Sequence, residues 1–210
     1  MESGGPGGGC AGDEFCDTFE REDRRGPWVF DEVQDGATLA IDRVTSTSPT
    51  RSLHMYLPST PGARAYLARG ADRVRLSFSM KTPAPDRRAV IARIQFGHSN
   101  GVAEIASLSL DDGRLLFSEE TIDGDGGVDS WNAAVAGFLP DRWQRWTLNI
   151  DASGDTTRLT LRVDGSDALV KTLTSKFRIG DVSVLLGCIY QVPGPPRDVR
   201  YDDVGIQTAR

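Results

Sequence analysis

Three carboxylates, Glu14, Asp17 and Glu20, stand near the start of the chain in the pattern E-x-x-D-x-x-E. Hydrolysis of a glycosidic bond needs two carboxyls about 5 to 9 Å apart across the scissile oxygen. On an extended strand this spacing sends Glu14 and Glu20 to one face and Asp17 to the other, so the three do not share a cleft. A second acidic stretch, Asp123-Gly124-Asp125-Gly126-Gly127-Val128-Asp129, imitates a calcium loop at its first, third and seventh positions. Gly127 stands where the fifth ligand belongs and Ala134 where the bidentate glutamate belongs, so a solvated hairpin is the plainer account. Trp131, flanked by Asp129, Ser130 and Asn132, offers a stacking surface for a sugar, with the Asn132 amide beside it. Trp28, Trp143 and Trp146 lie in strand patterns and are expected in or near the core. Arg73, Arg75, Lys81, Arg87 and Arg88 would form an outward basic row, able to hold an acidic polysaccharide if Arg158 and Arg162 lie beside it. A solvated sheet face is the commoner meaning of such a row.

The elements that must carry these residues are strands. In Arg73-Val74-Arg75-Leu76-Ser77-Phe78-Ser79-Met80-Lys81 every second residue is apolar, and the same alternation recurs in 145–150 and 158–163. The stretch from Val182 to Tyr190 is apolar on both faces and reads as a central strand. Asp112-Gly113, Ser153-Gly154-Asp155 and Asp164-Gly165 separate the runs at hairpin spacing. Weaker strands fit 28–33, 37–44, 51–57, 64–69, 88–97 and 197–207, and the only helix expected is a short one from Trp131 to Phe138. Many short strands with almost no helix predict an all-β sandwich or barrel.

With 210 residues the chain can fold as one domain without a metal or disulfide, 14–210 being the domain and 1–13 a disordered Gly-rich tether. The net charge of −6 argues against a nucleic-acid partner, which would need a concentrated basic surface. No apolar run is long enough for a transmembrane segment. Of the three cysteines, Cys188 lies in an apolar strand, while Cys10 and Cys16 are close together. In an exported protein a Cys10–Cys16 disulfide is the preferred pairing; three reduced thiols is the alternative. No cysteine spacing resembles a zinc site.

Three stretches carry a resemblance: Cys16-Asp17-Thr18-Phe19-Glu20-Arg21 with Gly26-Pro27-Trp28, then Arg142 to Leu148 with Leu161 to Gly165, and finally Val199 to Ile206 with its Asp202-Asp203 pair. In order and spacing they resemble the laminin G-like and carbohydrate-module jelly rolls of the concanavalin A-like lectin/glucanase superfamily. The resemblance implies a two-sheet antiparallel jelly-roll sandwich whose first and last strands are neighbours. It would bring Glu20 to Asp202 and Asp203, where carbohydrate modules often hold a structural calcium. Its glucanases carry E-x-D-x-x-E on one strand, which this chain lacks. Its alginate-lyase-like members line their concave sheet with an arginine, a Gln-x-His motif and a tyrosine from a G-x-Y-x-Q strand. Gln95-Phe96-Gly97-His98 and Gly187-Cys188-Ile189-Tyr190-Gln191 are similar. Arg93 or Gln95 would then neutralise a substrate carboxylate and His98 or Tyr190 would move the proton. The match departs in two respects: Gln95 and His98 are one residue too far apart to share a strand face, and no strand reproduces the lyases' arginine-rich motif, since Arg51-Ser52-Leu53-His54 lacks its acidic partner.

The expected function is a non-catalytic carbohydrate-binding or adhesion-type module of a secreted or cell-envelope protein, binding a polysaccharide or cell-surface glycan through Trp131 and Asn132. The tether ending in Cys10 resembles the segment left in envelope proteins after signal or lipid-anchor processing. A polysaccharide lyase using Gln95, His98 and Tyr190 is the alternative, ahead of a glycoside hydrolase, and a structural domain without ligand is the third reading. No cofactor is required for folding, and structural calcium is the one candidate.

Overall fold

The computed structural model describes residues 13–20, 28–33, 38–47, 50–57, 62–84, 88–97, 102–111, 113–122, 128–173, 177, 180–187 and 197–210. Residues 1–12 of the tether with Cys10, Arg87, His98, Cys188, Tyr190 and most of the Asp123–Asp129 loop lie outside them. Along the chain run β1 (Phe15–Asp17), β2 (Phe30–Val33), β3 (Thr38–Asp42), β4 (Ser52–Leu57), β5 (Gly62–Ala71), β6 (Arg73–Lys81), β7 (Ala89–Gly97) and β8 (Ala103–Asp111). They continue as β9 (Arg114–Ile122), β10 (Val128–Val135), β11 (Gln144–Asp151), β12 (Arg158–Val163), β13 (Ser166–Thr172), β14 (Gly180–Leu186) and β15 (Arg197–Ala209). One sheet has the order β13-β12-β11-β6-β15-β4-β3, with β1 also on β15; the other has the order β10-β9-β8-β7-β14-β5-β2. Every pairing among the described strands is antiparallel.

Alternation decides which faces meet. Leu76, Phe78 and Met80 of β6, Trp146, Leu148 and Ile150 of β11, and Leu159 and Leu161 of β12 are fully or almost fully buried and belong to one core. Across the interior that core takes in Ile94 and Phe96 of β7, Leu108 and Leu110 of β8, Phe117 of β9, and Val182, Val184 and Leu186 of β14. Ring contacts tighten the interior: Phe78 meets Tyr201 of the neighbouring strand edge-on at 5.9 Å, and Phe96 meets Phe177 at 5.3 Å. A direct polar link also crosses the core. The pairing of β7 with β8 shifts between Val90 and Ala92, and the Ile91 carbonyl accepts both the Gly187 amide, at 3.0 Å, and the Tyr201 hydroxyl, at 2.6 Å.

The Asp-Gly turns join the strands expected of them. At β12–β13 both Asp164 and Gly165 have positive φ, 50° and 81°, as a two-residue hairpin turn of the twist-matched kind requires. The expected helix from Trp131 to Phe138 is not formed. Residues 128–135 are instead the edge strand β10, paired with β9 through eight consecutive positions from Val128↔Ile122 to Val135↔Leu115. The ladder outweighs the helix preference of its alanines. The basic row is also rearranged, because β11 separates β6 from β12 and keeps Arg73 and Arg75 from being strand neighbours of Arg158 and Arg162. Trp28 and Trp146 are buried as expected.

Replacing Tyr201 with phenylalanine keeps the ring and deletes the donor to Ile91. The expected loss is about 1–2 kcal/mol, a fall in midpoint of roughly 3–6 °C on thermal unfolding. An unchanged midpoint would show that the cross-core bond does not stabilise the sandwich.

Candidate functional site

Because Ile94 and Phe96 point into the core, Arg93 and Gln95 stand on the outer face of the seven-stranded sheet. The register extends that face across the sheet. One row runs Leu185–Arg93–Ser107–Ser118–Asn132, and the next runs Ser183–Gln95–Ile105–Glu120–Ser130. Arg93, Ser107, Ser109 and Ser118 are buried even though they face away from the core. Arg93 Nε donates to Ser107 Oγ at 3.3 Å, which holds the guanidinium along the face. The hydroxyls of Ser109 and Ser118 are buried without a hydrogen-bond partner among the described residues. Gln95 and Ser183 are half-buried, and Asn132 is exposed at the β10 edge. Trp131 lies in β10 opposite Glu119.

The lyase set falls only partly within this view. Gln95 is placed on the outer face, whereas His98 and Tyr190 lie outside the described residues. The register sets Gln95 beside Ser183. The three early carboxylates take separate structural roles. Asp17 is buried and accepts Trp28 Nε1 at 2.6 Å and the Phe19 amide at 2.8 Å. Glu14 accepts the Tyr66 hydroxyl at 3.1 Å and the Thr208 hydroxyl at 2.5 Å. Burial, reinforced by Glu14, pushes the Tyr66 phenol up to about 12. Glu20 accepts the amides of Thr50 and Arg51 and the Thr50 hydroxyl.

The expected meeting of first and last strands is present, β1 pairing with β15 at Phe15↔Ile206. Cys16 of β1 is disulfide-bonded, and its partner lies outside the described residues. Asp202 is fully buried and accepts Thr47 N and Oγ1 at 2.8 and 2.9 Å on one oxygen and the Asp203 amide at 2.8 Å on the other. Asp203 is half-buried with a positive φ of 49°, its side chain within 3.3 Å of the Thr47 hydroxyl and its carbonyl bound by Arg145 at 2.7 Å. Burial raises the Asp203 carboxyl above its ordinary value; Asp202 and Glu20 add to the rise, against Arg145 and Thr47. Among the described residues no three His, Cys, Asp or Glu side chains converge as a ligand set. A calcium here would therefore draw its remaining oxygens from backbone or water.

The hydroxyl row is not among the sites expected from the sequence. Its signal is Ser107 and Ser109 alternating with Ala106, Leu108 and Leu110, a polar face on a strand that its neighbours enclose on both edges.

No family model matches the sequence, and no curated protein matches it. Solved structures do. The chain is similar to an endo-β-1,4-glucuronan lyase from the fungus Trichoderma reesei, with a TM-score of 0.73 at 14% identity over 94% of this chain and 96% of that one. It is also similar to the cellulose-induced protein Cip1, with a TM-score of 0.68 at 13% identity over 94% and 98%. The fold is a jelly roll. The binding domain of botulinum neurotoxin serotype G shares the architecture more distantly, with a TM-score of 0.50 at 13% identity over 86% of this chain and 44% of that one. Among the described residues of this jelly roll, no helix is long and apolar enough to cross a membrane.

The raised Asp203 carboxyl gives a test with a definite sign. A carboxyl whose folded pKa is raised favours the folded state at low pH, and that contribution is lost as pH rises through the folded value. Asp203→Asn removes the ionisation and suits the left-handed backbone. In chelator at neutral pH it should raise the unfolding midpoint by about 1–2 °C, an advantage that vanishes below the ordinary aspartate range. A midpoint lowered at neutral pH would contradict this account of the cluster.

Proposed function

We propose that the chain is a carbohydrate-binding jelly-roll module of a secreted or envelope protein, of the concanavalin A-like, laminin G-like kind. It holds an acidic polysaccharide or cell-surface glycan against the outer face of its seven-stranded sheet. The observation that carries the proposal is the buried polar row on that face, with two serine hydroxyls lacking partners among the described residues. A buried hydroxyl without a partner is costly, and a hydroxyl-rich ligand would supply what it lacks once the groups that cover this face move aside. Arg93 brings the charge that a uronate carboxylate needs, and Asn132 extends the row with an amide. The net charge of −6 makes a nucleic acid the wrong partner.

A second reading is a polysaccharide lyase, favoured by the whole-length likeness to a glucuronan lyase. Gln95 would face the substrate carboxylate, with His98 and Tyr190 as the proton-transfer groups. The readings separate in one experiment: binding to an acidic-glycan array, with the same sample followed by ultraviolet absorbance for unsaturated products. The module reading expects binding without product, and product formation would replace it with the lyase. Ser118→Ala should weaken glycan binding several-fold while leaving stability unchanged or slightly higher, since it removes an unsatisfied hydroxyl. Undiminished binding would move the ligand off this face.

We also propose structural calcium at Glu20, Asp202 and Asp203, supported by the Asp202 and Glu20 charges that help raise the Asp203 carboxyl, with the remaining oxygens coming from backbone or water. Binding only the folded state at about a hundred times the dissociation constant adds roughly 2.7 kcal/mol. Millimolar calcium should thus raise the unfolding midpoint by several degrees over chelator, and Asp203→Asn should lose most of that response. No rise in the unmutated protein removes the proposal.

A further inference from the structure

The opposite side of the sandwich carries a hollow that the glycan face does not use. Leu76, Leu148 and Ile206 point into the core, so Arg75, Asn149 and Gln207 stand outside the eight-stranded sheet in one register row, Asn149–Arg75–Gln207. Together with the next row, Asp151–Arg73–Ala209, they line a hollow of about 600 Å³ that Asp13 and Glu14 border. That volume falls in the range of small-molecule sites. Gly205 leaves space for Asp13 to lie against β15 beside it.

The charges in this hollow differ in how they are matched. Glu14 is held by Tyr66 and Thr208. Asp151 accepts both the amide and the hydroxyl of Ser153, and these bonds, with Arg73 and Arg158 nearby, draw its carboxyl below the ordinary value. Arg73 donates to the Arg210 carbonyl and stands 3.5 Å from Asp72. Asp13 exerts its charge on Arg145. Neither Arg75 nor Asp13 has a hydrogen bond or ion pair to a described residue, and Arg75 stands near the like-charged Arg145. The cation in want of a partner is therefore a guanidinium with an amide on either side.

We propose that this hollow is a second binding site, on the far side of the sandwich from Arg93, for a hydroxylated carboxylate the size of one or two sugar rings. Arg75 takes the carboxylate through its two-pronged donor edge, and Asn149 and Gln207 take hydroxyls. Asp13 and Glu14 bar a second negative charge at the β1 side, so a singly charged sugar acid fits and a polyanionic phosphate does not. The site stands on its own residues and does not depend on the glycan reading of the other face.

The test is a titration of the isotopically labelled full chain with sodium glucuronate, using glucose and inorganic phosphate as controls. Glucuronate should shift backbone signals at 73–75, 149–151 and 207–209, with glucose and phosphate shifting them far less. Arg75→Ala should weaken binding by at least about tenfold, Arg75→Lys should restore it only in part, and Asn149→Ala should weaken it several-fold. Both side chains point away from the core, so the spectra of these variants should otherwise match the parent. Ser118→Ala should leave this site's affinity unchanged, which separates it from the opposite face. Absence of glucuronate shifts at these residues, equal response to phosphate, or affinity unaltered in Arg75→Ala would overturn the proposal.

Discussion

β15 changes phase halfway along, and the eight-stranded sheet depends on that change. Val199 and Tyr201 face the core before it and Val204 and Ile206 after it, so the inward positions pass from odd to even numbers. The pairing with β6 slips between Asp202 and Gly205, and Asp203 takes the left-handed backbone that an inserted residue needs. Without the slip one half of the strand would turn its apolar residues to solvent, since a shift of one residue inverts every side chain beyond it. The buried Asp202 carboxylate secures the bend by taking Thr47 on one oxygen and the Asp203 amide on the other. The acids that suggest a cation site are thus the residues that make the bulge.

Two polar faces arise from one core. Once Leu76, Leu148 and Ile206 are committed inward on one sheet, and Ile94, Phe96 and Leu108 on the other, the outward positions carry what packing does not require. The faces differ in kind. The seven-stranded sheet shows short hydroxyls and a guanidinium tied along the surface, all buried. The eight-stranded sheet shows long charged and amide side chains around an open hollow.

Much of the architecture was legible because alternation and turn chemistry are local. β6, β11 and β12 alternate without exception at their apolar positions, and the Asp-Gly pairs lie at hairpin ends. β10 was not legible. Its alanines and lack of clean alternation favour a helix locally, and only its neighbour β9 makes it a strand. The charge of Glu20 acting on Asp203 accords with the paired terminal strands, but the bulge itself left no mark beyond two adjacent aspartates. Arg93 and Gln95 were identified by chemistry, whereas Ser107, Ser109 and Ser118 read as ordinary small polar residues until the register aligned them.

β15 also governs the order in which the molecule can assemble. It lies between β6 on one edge and β4 and β1 on the other, though residues 197–209 are far along the chain from all three. Until they arrive, the eight-stranded sheet is two separate pieces and an unpaired β1, with a strand-wide slot between the pieces. Contacts so distant in sequence form slowly, and an open slot with bare edges invites a strand from another molecule. A nascent or truncated chain stopping short of Arg197 would display the apolar stripe of β6 beside an unfilled lane. Such a chain would need a holding chaperone until the wedge strand is delivered.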